Sequence, residues 1–164
     1  DNYTLRVIKR ELNQRGIVTL RFNFRGVGNS EGTYDEGIGE QKDTLAALAF
    51  LSQCQKVERG RIALIGYSFG GMVALSVCKN NPLVKSVAAI SPVITPRLLQ
   101  GNNKPTLLIC GDKDEMTPPA NIIDNPEKNS PNFFVEIIKG PDHFWAGYIE
   151  ELSAKVVSFI ERHL

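Results

Sequence analysis

The sequence predicts an α/β fold: a mostly parallel sheet flanked by helices on both faces. Two observations carry that expectation. Strand-like and helix-like runs alternate along the whole 164-residue chain, and parallel strands need a crossover, usually a helix, between them. In addition, Gly66-Tyr67-Ser68-Phe69-Gly70, followed by Gly71, joins the apolar run Ile62-Ala63-Leu64-Ile65 to the helix-like run Met72-Val73-Ala74-Leu75. A serine therefore sits on a sharp strand-to-helix turn.

Taken in order, residues 2–14 place Leu5, Ile8 and Leu12 at the spacing of one helical face. Gly16 stops that helix. Residues 17–24 read as a strand, and 26–39 as a long glycine-rich loop. Residues 42–54 read as a helix with Leu45, Leu48, Ala49 and Phe50 inward. Residues 61–65 form the strand before the serine and 69–79 the helix after it. Residues 84–90 are a short strand, and 91–104 a proline-containing connection. Residues 106–110 and 133–138 are strands on either side of a segment rich in Pro and Asn. Trp145, Ile149, Leu152, Val156, Phe159 and Ile160 give the last helix its apolar stripe. There is no internal repeat and no linker, so one domain is expected across 1–164. An apolar fraction of 42% is enough to build its core.

Composition excludes several classes of function. The formal net charge is +1, with lysines and arginines scattered singly, so nothing points to nucleic acid or to an anionic membrane. No apolar run reaches the length of a membrane span. No C-x-x-C or H-E-x-x-H spacing calls for a metal, and no cofactor is expected. Gly26-Val27-Gly28-Asn29-Ser30-Glu31-Gly32 looks like a dinucleotide-binding turn, but Glu31 stands where the fingerprint wants its third glycine. An acid there repels a pyrophosphate, so a structural turn is expected. Cys54, Cys78 and Cys110 are odd in number and lie in apolar runs. Buried free thiols in a cytoplasmic protein are expected rather than a disulfide framework.

A serine on a strand–helix turn needs small neighbours, because the backbone is strained and the helix closes in behind it. Gly66 and Gly70 are expected to supply that room. The helix N-terminus adds positive potential and free N–H groups beside the hydroxyl. A nucleophilic serine also needs a base, usually histidine. Of the two histidines, His163 is penultimate, where a terminal side chain is poorly held. His143 follows a Gly-Pro turn after the strand at 133–138, a position suited to chemistry. A carboxylate should orient the imidazole. The strand at 106–110 empties into Gly111-Asp112-Lys113-Asp114-Glu115-Met116-Thr117-Pro118-Pro119. Asp114 leads the candidates, since it lies past the turn and before the prolines. Asp112 comes second and Glu115 third. Asp142 adjoins His143, but neighbouring side chains rarely present the needed geometry.

With these residues in place, the chain resembles the α/β-hydrolases of the small, lidless, dienelactone-hydrolase-like kind found in bacteria. Arg21-Phe22-Asn23-Phe24-Arg25-Gly26-Val27-Gly28-Asn29-Ser30-Glu31-Gly32 resembles the family's R-F-N-F-R-G-V-G-x-S-x-G loop. Residues 66–71 resemble its nucleophile elbow, and Gly111-x-x-Asp114-x-x-x-Pro118 and Asp142-His143-Phe144 its acid and histidine loops. The chain order Ser68, Asp114, His143 is the family's order, and the resemblance selects Asp114 over Asp112. It further implies earlier strands upstream of Asp1, and an upstream loop giving the second oxyanion-hole N–H. It follows that a strand-wide gap should lie beside the nucleophile strand.

The expected function is hydrolysis of a carboxylic ester, or a related acyl bond, in a small-molecule acyl substrate. Ser68 attacks, His143 moves the proton, Asp114 holds the imidazole, and the Phe69 N–H stabilises the oxyanion. Peptidase or acyltransferase chemistry on the same fold is the alternative. A non-catalytic binding module is disfavoured, because it has no need of all three side chains. Only 15 residues separate Ile90 from Thr106, too few for a cap domain, so the site should be open. Phe69, Met116, Phe144 and Trp145 could line it, with core packing the alternative for Trp145.

Overall fold

The computed structural model describes residues 2–95 and 97–164. The expectations tied to Asp1, and Pro96 within the 91–104 connection, lie outside the described residues. The elements are α1 (Tyr3–Gln14), α2 (Ile38–Ser52), β1 (Ile62–Tyr67), α3 (Phe69–Cys78) and β2 (Val84–Ile90). They continue with β3 (Thr106–Gly111), the single turn α4 (Ala120–Ile123), a 3-10 turn (Pro126–Asn129), β4 (Phe133–Ile138) and α5 (Ile149–His163). The four strands form one parallel sheet in the order β1-β2-β3-β4.

Both faces of the sheet are covered, as a parallel sheet requires. Side chains alternate along each strand. Val87 and Ala89 of β2 and Leu108 and Cys110 of β3 enter a core shared with Val73, Leu75 and Val77 of α3 and Leu48 of α2. Ala88, Ile90, Leu107 and Ile109 enter the other, shared with Ile8 and Leu12 of α1 and Leu152, Val156 and Ile160 of α5. Each Val, Leu or Ile among them contributes about 1.5–3 kcal/mol on burial. The central strands are thereby clamped from both sides, and their C-terminal ends are rigid platforms for loops.

Several sequence expectations need correction. Residues 17–24 form no ladder: β1 hydrogen bonds to β2 alone among the described residues. A cavity of about 660 Å³, lined by residues 17–24 and by β1, occupies the place where pairing would occur. Among the described residues no strand takes its N–H and C=O groups in a ladder, so alternation alone does not make it a strand. The expected gap beside the nucleophile strand therefore meets a cavity there. Helix α2 starts at Ile38, four residues before the expected start at Lys42. Gly37, at φ 93°, turns the chain into the helix, and the Glu40 carboxylate reaches back to accept the N–H groups of Gly37 and Asp35 at 2.8 and 2.9 Å. The buried stripe of α2 is Glu40, Thr44 and Leu48, whereas Leu45, Ala49 and Phe50 are exposed. Cys54 is half-buried, unlike Cys78 and Cys110. Among the described residues of 91–105, no helix or strand occurs.

Candidate active site

Ser68 stands at the junction of β1 and α3 with φ 54° and ψ −118°. That region is costly for a residue with a Cβ, by about 1–3 kcal/mol. The turn is fixed by its own backbone. Ser68 N–H donates to Ile90 O at 2.8 Å, and Ser68 O accepts from Gly71 N at 2.9 Å and Met72 N at 3.2 Å. The tightest approach is at Gly66, where a Cβ would lie 2.1 Å from Gly70 O. At Gly71 it would meet Pro92 Cβ at 3.0 Å. At Gly70 it would only touch the Phe24 ring at 3.9 Å. The need for a missing side chain thus falls on Gly66 and Gly71, not on Gly66 and Gly70. The Ser68 hydroxyl caps no helix N–H and is left free for another partner. Ser68 O takes the N–H groups of Gly71 and Met72, and those of Phe69 and Gly70 at the start of α3 have no helix carbonyl to take them.

That partner is His143, whose Nε2 lies 3.0 Å from Ser68 Oγ. On the other side of the ring, Nδ1 lies 2.9 Å from both carboxylate oxygens of Asp114. A carboxylate only accepts, so Nδ1 carries the proton and Nε2 is the acceptor for the serine hydroxyl. Asp114 is 2% exposed and His143 4%, so this pair operates away from bulk water. Ser68 Oγ, His143 and Asp114 form one continuous line of hydrogen bonds supplied by β1, β4 and β3, respectively, through the loops that follow them.

The carboxylate is tightly held. Asp114 Oδ1 accepts the N–H groups of Met116 at 3.1 Å and Thr117 at 2.8 Å, and Oδ2 accepts the Thr117 hydroxyl at 2.8 Å. Burial by itself would raise its pKa. The Thr117 N–H, the Ser91 and Thr117 hydroxyls and His143 outweigh burial and hold it below the ordinary Asp value. Asp112 has a different partner: its Oδ1 accepts the Gly140 N–H at 2.7 Å and ties the acid loop to the histidine loop. Lys113 N–H donates to Pro141 O at 3.1 Å across the same seam. Neither Glu115 nor Asp142 reaches the imidazole; Asp142 Oδ1 accepts the Phe144 N–H at 3.0 Å.

Of the expected lining residues, Phe69 is half-buried and carries two ring contacts, to Phe24 at 5.9 Å and Tyr34 at 5.5 Å between centroids. Met116 and Phe144 are each 65% exposed, and the Phe144 ring stands edge-on to His143 at 5.7 Å. Trp145 is a correction. It is 0% exposed and packs with Ile8, Leu152 and Val156 in the α1–α5 core, with Nε1 donating to Ser91 Oγ at 3.0 Å. Its φ of 59° turns the indole inward while Phe144, one residue earlier, stays outside. Arg25 pins its loop through the Asp43 carboxylate, at 2.8 Å from Nη2 and 2.9 Å from its backbone N–H.

Three residues at the site were not singled out from sequence. Thr117 had a readable signal: an Asp followed three residues on by Thr, before two prolines, is an Asx-turn pattern. Tyr67 donates its hydroxyl to the His143 carbonyl, and burial, then Asp114 and Asp142, push its pKa up to about 12. Ser91 sits next to Pro92 in what reads as a plain connection. Neither Tyr67 nor Ser91 carries a local signal, because their partners are distant in sequence.

A family model described as PET hydrolase-like matches residues 29–164. An uncharacterised protein of Rickettsia prowazekii is 30% identical over 156 residues, covering 88% of this chain and 65% of that protein. The chain thus spans under two thirds of that relative's length. An α/β serine hydrolase without a lid from Xanthomonas campestris superposes with a TM-score of 0.86 at 27% identity, covering 98% of this chain and 73% of that one. An esterase from Butyrivibrio proteoclasticus with ferulic acid bound shares the fold, with a TM-score of 0.88 at 18% identity over 99% of this chain and 84% of that one. Among the described residues, no helix is long and apolar enough to cross a membrane.

Proposed function

The chain belongs to the PET hydrolase-like family of α/β-hydrolases, and from that footing we propose that it is a serine esterase acting through Ser68, His143 and Asp114. The observation that carries this reading is the unbroken line from Ser68 Oγ to His143 Nε2, at 3.0 Å, and from Nδ1 to Asp114, at 2.9 Å.

In the first half-reaction Ser68 Oγ attacks the ester carbonyl carbon while its proton passes to His143 Nε2. The carbonyl oxygen becomes an oxyanion, stabilised by the Phe69 N–H at the positive end of α3 and by a second donor. When the intermediate collapses, the carbon–oxygen bond to the leaving alkoxide breaks and His143 returns the proton to it. Water, deprotonated by the same imidazole, then hydrolyses the acyl-serine and releases the acid. Asp114 keeps the proton on Nδ1 throughout and stabilises the imidazolium. The pair's burial makes each of these electrostatic contacts stronger than in water.

The substrate proposed is a small, open-access acyl ester with an aromatic or apolar group. Phe69, next to Ser68 in the chain, packs its ring against Phe24 and Tyr34, while Phe144, edge-on to His143, and Met116 are exposed. Ferulic acid in the Butyrivibrio esterase is an aromatic acid of the kind such walls would hold. The reading is tested with a fluorophosphonate probe, then with p-nitrophenyl acetate, butyrate and benzoate beside the matching anilides and thioesters. Labelling and ester turnover are expected, both removed by Ser68→Ala, which should lower turnover roughly 10⁴ to 10⁶-fold. A variant that keeps a tenth of the wild-type rate overturns the assignment of Ser68, and faster anilide than ester turnover makes the protein a peptidase.

A further inference from the structure

We propose that Thr117 is a positioning residue for the Asp114–His143 pair. Its amide and hydroxyl hold the two carboxylate oxygens toward His143 Nδ1, and the hydroxyl oxygen faces that nitrogen as well. This rests on the esterase reading, since it assigns a role within the same site.

The direction of each bond follows from the donor inventory. A hydroxyl has one proton to donate and two lone pairs to accept with, whereas an ionised carboxylate only accepts. The Thr117 hydroxyl proton therefore goes to Asp114 Oδ2, at 2.8 Å. The Thr117 N–H goes to Oδ1, also at 2.8 Å. One residue thus supplies a donor to each carboxylate oxygen, and the carboxylate cannot turn about its Cβ–Cγ bond without losing one of them. In that orientation both oxygens lie 2.9 Å from His143 Nδ1.

The hydroxyl has a second neighbour. Thr117 Oγ1 lies 3.3 Å from His143 Nδ1. With its proton directed to Asp114, it offers Nδ1 only a lone pair. Nδ1 then faces three oxygens and none of their protons. A ring nitrogen that carries a proton is satisfied there, and a bare one is not. The arrangement therefore favours the tautomer whose free Nε2 can take the Ser68 proton. Donation to a carboxylate also polarises the hydroxyl, which suits Oγ1 to face the imidazolium once Nε2 is protonated.

Burial and the loop backbone keep this geometry in place. Thr117 is 5% exposed, so bulk water does not replace either bond. Pro118 follows it and restricts its backbone. Met116 N–H also donates to Oδ1, at 3.1 Å, so the backbone turn around the acid has donors of its own. The hydroxyl is thus separable from the loop. Thr117→Val keeps the amide and the branched shape and removes the donor to Oδ2.

The experiment compares wild type, Thr117→Val and Thr117→Ser in two readouts: the NMR proton resonance of His143 Nδ1–H, and kcat and KM on a nitrophenyl ester. Thr117→Val should shift or broaden the Nδ1 proton resonance. Its kcat should fall about tenfold with KM within about twofold, because a hydrogen bond to a charged group is lost and no substrate contact is. Thr117→Ser restores the hydroxyl without the methyl and should return both readouts close to wild type. A folded Thr117→Val with an unchanged Nδ1 resonance overturns the proposal. So does a Thr117→Ser as impaired as Thr117→Val, since the methyl and not the hydroxyl would then matter. Where Thr117→Val does not fold, wild type decides by itself. Its Thr117 hydroxyl proton should exchange slowly and show a nuclear Overhauser effect to His143 Nδ1–H, and a hydroxyl proton lost to rapid exchange overturns the proposal. The NMR readouts need no substrate, so a wild type that hydrolyses nothing would sink the esterase reading and leave this test standing.

Discussion

Two regions of the molecule meet at Ser68 and are built in opposite ways. On the β3–β4 side, the acid and histidine loops are locked to each other. A Cβ at Gly111 would lie 2.0 Å from Pro141 O, one at Gly140 would lie 2.2 Å from the Tyr148 hydroxyl oxygen, and Asp112 bonds the Gly140 N–H. On the β1 side, residues 17–37 run over the surface with Val18, Leu20, Phe22, Val27 and Tyr34 exposed, and a cavity separates 17–24 from β1. What ties that stretch down is a short set of contacts: Arg25 to Asp43, Glu40 to Asp35 and Gly37, the Phe24 and Tyr34 rings on Phe69, and a few turns. Proton transfer along three side chains demands sub-ångström register, and a polar network in a dry seam provides it. Contact with an apolar acyl group needs only exposed apolar surface, and the β1 side offers that.

The sharpest way to break this comparison is on the locked side. Asp114→Asn should cost on the order of 10⁴-fold in turnover, because the imidazole loses its tautomer and its counter-charge. Asp112→Asn keeps an oxygen for the Gly140 N–H and should cost far less. Equal losses in a nitrophenyl ester assay would mean that the loop clamp and the acid are not separable. Within the elbow, Gly66→Ala should destabilise by about 3 kcal/mol or more, since backbone stands in the way of the new methyl. Gly70→Ala meets only the Phe24 ring and should melt close to wild type. A thermal melt that reverses this order removes the backbone contact at Gly66 as the reason for that glycine.

On the β1 side, hydrogen exchange should separate the strands. Among the described residues no strand pairs with β1 on the cavity side, so the β1 amides that point there should exchange faster than those of β3, which is paired on both edges. Uniform protection across the sheet would mean that the β1 edge is covered in solution. The smallest effect expected is with acid. Arg25 hydrogen bonds hold Asp43 below its ordinary value, and Asp114 is lowered as well. A carboxylate depressed in the folded state contributes stability above its unfolded value and loses it as pH falls through the folded one. The share of stability due to Asp43 and Asp114 should therefore be lost as pH falls below the ordinary Asp value of 3.8. In Asp43→Asn the part of that decline due to Asp43 should vanish, as read from melting temperature against pH.

How much of this could be read in advance depended on how local each cause was. The parallel sheet, its strands at 84–90 and 133–138, and the serine on its turn follow from periodicity and from glycines spaced a few residues apart. The choice of Asp114 over Asp112 rested on a loop pattern, and in the structure Asp114 is the acid that touches the imidazole. Residues 17–24 alternate like a strand, but a strand exists only where a neighbour takes its hydrogen bonds, and no local pattern reports that neighbour. Helix α2 hides Thr44 and shows Phe50 because its orientation is set by α3, not by its own apolar residues. Trp145 turned inward for the same kind of reason: one backbone angle decided between its core place and the surface held by Phe144. Sequence determined the chemistry-bearing residues and their order, since those depend on residue type and spacing. Tertiary structure alone decided which side chains reach one another across the sheet, because Trp145 meets Ser91, and Tyr67 meets the His143 carbonyl, only where strand ends and turns bring them together, with nothing nearer in the chain to join them.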